Sequence, residues 1–283
     1  MWFAGVYVYL RPTTLEEALE ALYQSRGELL AGGTDFYPSL GERLPAKPIV
    51  DITRVRELKG ITRKPDLFRI GGGATWTELI KAPLPRCFDA LKAAAREIGS
   101  VQIQNRGTVA GNLCNASPAA DSVPALLALD AAVELASRST VRRVALQDFI
   151  LGNRKTARQA DEILTAILVP RAVDDALSTF LKLGARRYLV ISIAIVAVVL
   201  DIESGKIRDA RVAVGSCSVR AQRLTDLEQR LRGASLSDIA ELAAEQHLKP
   251  LSPIDDVRAS ASYRFDSALT LVRRALAQCA AKC

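Results

Sequence analysis

The chain has 283 residues, of which 49% are hydrophobic and 24% charged, a composition typical of a folded globular protein and not of a disordered chain. Its net charge is +7, but the Lys and Arg residues are scattered without a polybasic block, so charge alone gives little support for nucleic-acid binding. The five cysteines form no CxxC pair and the single histidine is His247, so neither a zinc nor an iron–sulfur site is supported.

The cysteine count, the N-terminus and the apolar runs indicate the cellular location of the protein. An odd number of cysteines and the lack of a convincing export signal indicate reduced thiols and a cytoplasmic location. The longest apolar run, Tyr188 to Leu200, is interrupted by Ser192 and is shorter than the ~20 residues of a membrane helix. Its Ile and Val content instead predicts a buried strand, so no membrane span is expected.

The first fifty residues are predicted to form a β-α-β unit. Its elements are a strand over Val6–Leu10, a helix that opens at Pro12 and ends at Gly27, and strands over Leu29–Ala31 and Ile49–Ile52. Thr13 and Glu16 have the spacing of a capping box at the start of that helix. The motif Gly32-Gly33-Thr34-Asp35 directly follows the middle strand, which places a glycine turn at its end.

The middle of the chain mixes strands with short helices. The predicted elements are strands over Leu67–Ile70, Val133–Ala136 and Glu162–Val169, and helices after Thr75, over Phe88–Ile98 and from Ser117 to Ala128. Thr75 and Glu78 give a second capping box. A second glycine-bearing segment, Gly107 to Asn112, lies between the last two of these helices and is predicted to be a loop.

The last third of the chain is predicted to be a sheet with helices beside it. Residues 171–178 are polar and are interpreted as a linker. The predicted elements are a three-stranded antiparallel meander over Phe180–Leu183, Tyr188–Leu200 and Arg211–Val214, and helices over Asp226–Leu231, Leu236–His247 and Ser267–Ala280. This predicts two domains, residues 1–172 with subdomains of about 1–56 and 57–172, and residues 178–283.

The first glycine segment has the chemistry of a phosphate-binding turn. Its glycines let the main chain turn and bring backbone N–H donors close to a diphosphate, and the Thr34 hydroxyl adds a donor. Asp35 would repel phosphate, so we expect its carboxylate to hold the loop by accepting backbone N–H bonds. An ordinary turn is the more frequent explanation for such a sequence on its own.

The second glycine segment offers a richer mixture. Gly107, Thr108, Gly111 and Asn112 are followed by Asn115, Ser117 and Asp121. A flavin nucleotide needs such donors for its phosphate oxygens and acceptors for its hydroxyls. A polar Ω-loop that is held by its own side chains would explain this segment equally well without the first one. Neither segment is a Walker A motif or a Rossmann GxGxxG motif.

With these motifs the sequence resembles the FAD-binding medium subunits of molybdenum hydroxylases, such as carbon monoxide dehydrogenase and other xanthine dehydrogenase-like enzymes. The matching segments are residues 30–35, 107–113, 116–121, 162–164 and 180–182, in the same order over essentially the whole chain. The resemblance implies an α+β fold. A two-part FAD-binding domain of the vanillyl-alcohol-oxidase (PCMH) type would precede a C-terminal antiparallel sheet with helices.

The resemblance also implies a set of FAD-binding residues and no catalytic or metal-binding residue. They are Leu30, Ala31, Gly32, Gly33, Thr34, Asp35, Ile98, Gly107, Thr108, Val109, Ala110, Gly111, Asn112, Asn115, Asp121, Leu164 and Lys182. The two glycine segments match the loops at the diphosphate and the flavin ring. Asp121 matches an acidic residue near the ribityl chain or the phosphates, and Ile98 and Leu164 match positions near the adenine. Lys182 matches a lysine near the isoalloxazine, where a cation would stabilise an anionic reduced flavin.

The function implied by the resemblance is electron transfer. Electrons from a molybdenum–molybdopterin site on a large subunit would pass through [2Fe–2S] clusters of a small subunit to this FAD, and then to NAD, oxygen or another acceptor. A dimer of heterotrimers is the implied assembly. The chain departs from the family at Ala110, where relatives usually carry the first of two adjacent glycines, so the flavin potential or the oxidant preference could differ.

Two other functions stay open on the sequence alone. One is a self-sufficient flavin oxidoreductase on the same fold, which would need a substrate pocket with its own general base. The other is a non-catalytic interaction or nucleic-acid-binding protein that uses the basic surface. Bound flavin and turnover of a small substrate by this chain alone would distinguish the three.

Overall fold

The computed structural model of the protein describes residues 8–283. Its strands are β1 (Tyr9–Leu10), β2 (Glu28–Leu30), β3 (Ile49–Asp51), β4 (Ile61–Arg63), β5 (Leu67–Gly71), β6 (Ala132–Ala136), β7 (Val141–Ala145), β8 (Ile150–Gly152), β9 (Lys155–Thr156), β10 (Ile163–Pro170), β11 (Leu177–Leu183), β12 (Ala194–Glu203), β13 (Lys206–Gly215) and β14 (Gln222–Arg223). Its α-helices are α1 (Leu15–Ser25), α2 (Phe36–Leu40), α3 (Trp76–Lys81), α4 (Asp89–Glu97), α5 (Val101–Arg106), α6 (Val109–Asn115), α7 (Ser122–Ala128), α8 (Leu146–Phe149), α9 (Thr225–Leu231) and α10 (Ala261–Ala280).

Three sheets organise these elements, which gives the α+β class that the sequence predicts. The N-terminal unit (residues 9–58) has a small parallel sheet in the order β1-β3-β2. The central unit (residues 61–170) has an antiparallel sheet in the order β4-β5-β10-β6-β7, together with the hairpin β8–β9. The C-terminal unit (residues 177–280) has an antiparallel sheet in the order β11-β12-β13-β14.

The first helix starts and ends close to the predicted positions, but its caps differ. The capping box is formed by Thr14 and Glu17, one residue later than the predicted Thr13 and Glu16, because the Glu17 carboxylate accepts the backbone N–H of Thr14. The left-handed residue that ends the helix is Arg26, with φ 49°, and not Gly27. The predicted first strand is present at Tyr9–Leu10, and the Val6–Tyr7 part of that prediction lies outside the described residues.

The central unit confirms the predicted strands and the capping box of Thr75 and Glu78, and it adds four strands that the sequence did not predict. Two of them, β8 and β9, form the separate hairpin, and the other two, β4 and β7, lie at the edges of the five-stranded sheet. Every second residue of β7 is exposed and the others are only partly buried, so its hydrophobic pattern is weak. An edge strand of this kind is held by its neighbour's backbone more than by its own apolar face.

The predicted strand over Tyr188–Leu200 is wrong at its first half. The strand β12 begins at Ala194, where its pairing with Leu183 of β11 begins. The residues before it have no strand partner in the described chain, and Tyr188 and Leu189 are 60% and 57% exposed. The predicted three-stranded meander also gains a fourth short strand, β14.

Two further predictions for the last third of the chain are corrected. The helix predicted over Leu236–His247 is a series of turns that ends in a short 3₁₀ helix, Glu245–Leu248. Its backbone bonds span three residues, as from Glu241 N to Asp238 O, yet these turns still bury the apolar side chain of Ile239. The predicted linker is not free chain, because residues 171–173 form a 3₁₀ turn and β11 begins at Leu177.

The strand β12 explains how the C-terminal unit is attached. Its alternate residues Ala197 and Val199 pack in the core of the central unit, while Val196 and Val198 pack in the core beneath α9 and α10. A strand buried on both faces is apolar at every position, which is why the sequence has an uninterrupted run here. Among residues 8–283, no helix has both the length and the apolar character needed to cross a membrane.

Candidate functional site

A large cleft lies between the N-terminal and central units. Its volume is about 1330 Å³, and its walls come from the end of α1 and β2, from the two glycine segments, and from residues 154–164. Of the predicted binding residues, the following line it: Ala31, Gly32, Gly33, Thr34, Asp35, Ile98, Gly107, Thr108, Ala110, Gly111, Asn112, Asn115 and Leu164. Residues separated by more than one hundred positions are therefore brought into one site.

Four of the predicted residues do not line this cleft. Leu30 and Val109 are buried core side chains next to lining residues, with 4% and 0% of their surface exposed. Asp121 and Lys182 lie outside the lining and bind each other.

The two glycine segments are in direct contact. A Cβ atom placed on Gly32 would lie 2.1 Å from the backbone oxygen of Arg106 and 2.8 Å from the Cα of Gly107. No side chain fits at such a distance, so glycine is required at position 32 by the approach of the second segment. The second segment is held in turn by the central unit, since Gly107 O accepts a hydrogen bond of 3.1 Å from Trp76 N.

The first segment presents backbone donors to the cleft. Within residues 8–283, the amides of Gly32, Gly33 and Thr34 donate no hydrogen bond to another residue. Gly33 has φ 76°, the left-handed conformation that turns successive amides toward one side. The predicted role of Asp35 is wrong, because its carboxylate is exposed and accepts no backbone hydrogen bond from the described residues.

The second segment is the start of a helix and not the predicted loop. Thr108 caps α6 by accepting a hydrogen bond of 2.9 Å from Gly111 N. Val109 and Leu113 are buried on one face of this helix, and their four-residue spacing is the local signal that indicates a helix here. Ala110 lies in the first turn at 4% exposure, so its methyl group is part of the packed wall of the cleft.

Several lining residues were missed because tertiary structure alone brings them to the cleft. Arg26 and Lys47 come from the N-terminal unit, and Arg154 and Arg158 come from the segment around the hairpin β8–β9. Arg154 donates a hydrogen bond of 3.0 Å to Asn115 Oδ1, which attaches the hairpin to the end of α6. Nothing in the local sequence of these cations distinguishes them from surface residues.

These groups fit an extended anionic ligand such as a dinucleotide diphosphate. The amides of Gly32 and Gly33 without protein acceptors are matched by phosphate oxygens, and nearby cations offset the charge. Asn112 turns its Oδ1 atom toward Ser122, at 2.7 Å, which leaves its NH₂ group as a donor for a ligand. The cleft has the donors and the close-approach glycines that FAD requires.

One wall of the cleft is braced by a buried carboxylate. Glu162, whose side chain is 5% exposed, binds Arg142 through both oxygens at 2.6 and 2.9 Å. It also accepts the backbone N–H of Gln159 at 2.7 Å. Hydrogen bonds from Arg142 lower the pKa of Glu162 despite its partial burial. The carboxylate therefore fixes residues 157–161, among which Arg158 faces the cleft.

The variant Glu162→Gln is expected to reduce the free energy of unfolding by about 1–3 kcal/mol at pH 7, because a charge-assisted bidentate contact is lost. A carboxyl group whose pKa is lowered by folding stabilises above its unfolded pKa of about 4.3, and that stabilisation is lost as the pH falls through its folded pKa. Urea unfolding at pH 7 and near pH 3.5 measures the unfolding free energies of wild type and of the variant. The difference between them should be smaller at pH 3.5 than at pH 7. A difference that is independent of pH would contradict a stabilising role of the ionised Glu162 carboxylate.

The control for this experiment is Glu203→Gln. Glu203 is 67% exposed and lies 3.7 Å from Arg208, so its pair is solvated and contributes little. The unfolding free energy of the Glu203→Gln variant should match that of wild type at both pH values.

A second buried pair lies beyond the cleft, between the central and C-terminal units. Lys182 Nζ is 2.7 Å from Asp121 Oδ2, and both side chains are 8% exposed. The Ser192 hydroxyl donates to the other oxygen of Asp121 at 2.6 Å. Burial raises the pKa of Asp121, although Lys182 and Ser192 both favour its ionised form. This pair joins the start of α7 to β11 and to the chain that precedes β12.

Neither the single histidine nor the cysteine that lines the cleft is suited to act as a general base there. His247, the single histidine, is 7% exposed in the C-terminal unit, where its Nδ1 accepts the backbone N–H of Ala244. Burial raises the pKa of the cleft-lining Cys114 to about 11, so it is a neutral thiol at neutral pH. Within residues 8–283, no group of three His, Cys, Asp or Glu side chains is placed to hold a metal ion.

Comparison with known proteins assigns both parts of the chain. Residues 3–172 match the family described as "FAD binding domain in molybdopterin dehydrogenase", and residues 179–279 match "CO dehydrogenase flavoprotein C-terminal domain". The nicotine 6-hydroxylase medium subunit of Paenarthrobacter nicotinovorans is 33% identical over 280 residues, which cover 97% of each chain. The putative xanthine dehydrogenase FAD-binding subunit of Escherichia coli is 33% identical over 279 residues, which cover 96% of each chain.

The structure is also similar to solved structures of enzymes of this kind. A chain of the reconstituted CO dehydrogenase from Oligotropha carboxidovorans superposes with a TM-score of 0.89 at 28% identity and covers 99% of both chains. A chain of quinoline 2-oxidoreductase from Pseudomonas putida 86 has a TM-score of 0.89 at 25% identity, over 100% of this chain and 99% of the other. The expected two-part FAD-binding fold with a C-terminal sheet domain is confirmed by these matches.

Proposed function

This chain belongs to the family of FAD-binding medium subunits of molybdenum hydroxylases, and from that premise we propose that it is the electron-transfer subunit of such an enzyme. Electrons would arrive from [2Fe–2S] clusters of a small partner subunit and leave through the bound FAD to NAD, oxygen or another acceptor. Substrate oxidation would occur at a molybdenum–molybdopterin site of a large subunit. A dimer of heterotrimers is the assembly we propose, in the cytoplasm.

The observation that carries the proposal is the contact of the two glycine segments at the floor of the cleft. Gly32 meets the backbone of Arg106, and the amides of Gly32 and Gly33 face the cleft without acceptors among residues 8–283. FAD, when bound, supplies the electron-exchange chemistry. The chain's own residues would hold the diphosphate at Gly32–Thr34 and exclude water with the packed wall at Ala110.

The binding residues proposed from the family resemblance fall into three sets. The thirteen lining residues would contact FAD directly, and the buried Leu30 and Val109 would support them from the core. Asp121 and Lys182 would act from the C-terminal side of the site, where their ion pair holds the neighbouring chain in place. We also propose that the chain divides near residue 172, since Ile163–Pro170 completes the central sheet and β11 opens the next one.

A self-sufficient flavin oxidoreductase is less well supported. Such an enzyme would need a general base beside the flavin, and His247 is buried in the C-terminal unit outside the lining of the cleft. Turnover of a small substrate by this chain alone would favour that alternative.

The purified chain is expected to carry about one non-covalently bound, releasable FAD per chain. Acid release followed by chromatography would identify the nucleotide, and metal analysis of material purified with its partners should find molybdenum and iron. A colourless protein that takes up no FAD would overturn the assignment. If the chain carries FAD but no iron–sulfur or molybdenum subunit co-purifies with it, the cofactor assignment would stand and the proposed electron route would be overturned.

A further inference from the structure

A buried arginine of α10 holds one end of the C-terminal sheet. Arg264 has only 3% of its surface exposed, although a guanidinium group ordinarily stays in water. Its Nη1 donates to Ile193 O at 2.7 Å and to Ser216 O at 3.1 Å, and its Nη2 donates to Asp256 Oδ1 at 2.8 Å. Ile193 immediately precedes β12 and Ser216 immediately follows β13, so one side chain joins the ends of two paired strands.

The counter-charge of Arg264 comes from the loop before α10. Hydrogen bonds from the backbone of Arg258 and from Arg264 hold the pKa of Asp256 well below its usual range, so this carboxylate is ionised at neutral pH. It accepts the backbone N–H groups of Arg258 and Ala259 at 2.8 and 3.2 Å. These bonds fix the carboxylate in place, which gives the buried guanidinium a partner of constant geometry.

Both strand ends that Arg264 holds also bind the segment between α6 and α7. Ser216 N donates to Pro118 O at 3.1 Å. The hydroxyl of Ser192, next to the other carbonyl that Arg264 binds, donates to Asp121 Oδ1 at 2.6 Å. Ser216 has φ 62°, which residues with a side chain seldom adopt, so this backbone depends on the contacts at both of its ends.

That segment leads directly to one wall of the cleft. Ser122, the residue after Asp121, donates its hydroxyl to Asn112 Oδ1 at 2.7 Å. Asn112 lines the cleft, whereas within residues 8–283 no residue of the C-terminal unit does. A path of hydrogen bonds and adjacent residues therefore runs from Arg264, through the end of the C-terminal sheet, to the amide that α6 offers to a ligand.

A second arginine provides a contrast at the other end of α7. Arg223 donates to Leu127 O at 3.0 Å and to Asp130 Oδ1 at 2.6 Å, and it also binds the buried Glu228. In the part of the chain that the structure describes, none of these three partners is hydrogen-bonded to a residue that lines the cleft. Arg223 and Arg264 both join the C-terminal unit to the region of α7, but only Arg264 is connected to the cleft.

We propose that Arg264 is a positioning residue of the FAD site, which acts through Ser192 and Asp121 to hold the α6 wall in its binding geometry. The inference rests on the proposed function, since it assumes that FAD occupies the cleft. It assigns the C-terminal unit a part in cofactor binding although that unit supplies none of the thirteen lining residues proposed to contact FAD.

The test compares thermal stability and FAD affinity in two variants of the full-length chain. Arg264→Met and Arg223→Met each remove one partner of an ion pair that is shielded from water, so both should lower Tm by about 6 °C or more. Removal of the outer partners of metal-binding residues weakens affinity about 10–100-fold, and for FAD we expect the lower end, about tenfold, in Arg264→Met. Arg223→Met is the matched control and should bind FAD within about twofold of wild type, as a site independent of the cleft.

Ser192→Ala tests the connection itself without removing a charge. It should weaken FAD binding about threefold, since one hydrogen bond to Asp121 is lost. The double variant Arg264→Met/Ser192→Ala should bind FAD no more weakly than Arg264→Met, because both changes act on the same contact. Arg264→Lys retains the charge and should bind FAD more tightly than Arg264→Met.

Quenching of flavin fluorescence, after removal of bound nucleotide and at a temperature where all variants are folded, measures these affinities. Equal losses of affinity in Arg264→Met and Arg223→Met would assign the effect to overall stability and overturn the inference. Wild-type affinity in Ser192→Ala, or additive losses in the double variant, would also overturn it, and Ser192→Ala decides the question if Arg264→Met does not fold. Failure of wild type to bind FAD would instead overturn the proposed function.

Discussion

Replacing Gly32 by alanine is expected to weaken FAD binding at least about a hundredfold and to reduce the free energy of unfolding by about 1–3 kcal/mol. The added methyl group would lie 2.1 Å from Arg106 O, and backbone cannot yield as a flexible side chain can. The two glycine segments must then separate, which moves the amides of Gly32 and Gly33 away from the diphosphate. Each charge-assisted hydrogen bond lost contributes about 1.5–3 kcal/mol, so the loss of binding should exceed the loss of stability.

Flavin fluorescence titration and urea unfolding of the same preparations separate these two effects. The matched control is Gly152→Ala, because Gly152 is buried and its added Cβ would meet only Val219 Cγ2, at 3.8 Å. Gly152→Ala should bind FAD as wild type does. A Gly32→Ala protein with wild-type affinity would show that the contact between the segments does not position the phosphate donors.

The variant Lys182→Met is expected to reduce the free energy of unfolding by about 3–5 kcal/mol, since it leaves the Asp121 carboxylate buried without its counter-charge. The family resemblance places Lys182 near the isoalloxazine, where its loss would alter the flavin potential more than the FAD affinity. The ion pair with Asp121 adds a loss of stability to that expectation. Thermal unfolding should show a fall in Tm of about 6 °C or more, and the double variant Asp121→Asn/Lys182→Met should recover most of it.

The pH dependence of this defect follows from Asp121. Burial already raises the pKa of its carboxyl group, and removal of Lys182 takes away a charge that opposes that rise. A group whose pKa is higher in the folded state takes up a proton on folding, so the folded state gains stability as the pH falls through the folded pKa toward the unfolded value of about 3.9. Lys182→Met should therefore lose less stability relative to wild type at pH 5 than at pH 8. A deficit that grows in acid would contradict the buried pair.

The sequence was sufficient for elements whose signals are local. The capping box of Thr75 and Glu78 lies at the predicted residues, because a cap depends on side chains three positions apart. The turn between β12 and β13 likewise lies at Ser204 and Gly205, residue types that favour turns. The family motifs are local in the same sense, and they were enough to identify FAD as the cofactor.

Other features depended on neighbours that the local sequence does not identify. The apolar run from Tyr188 predicted one long strand, but a strand needs a partner, and pairing begins only at Ala194. The edge strand β7 has little hydrophobic pattern and is formed because β6 offers its backbone. Asp121 and Lys182 were both named from the family motifs, yet their mutual ion pair follows from the packing of the C-terminal sheet on α7.

The sequence by itself determined the chemistry of the two glycine segments, because backbone donors and close-approach residues are properties of the residue types. Only the tertiary structure decided that Gly32 touches Arg106, that the second segment begins a capped helix, and that Tyr23 and Arg158 share the same cleft. The physical reason is that a site between two units is built from contacts distant along the chain. Such contacts are fixed by packing of buried surfaces and leave no local pattern at the residues they bring together.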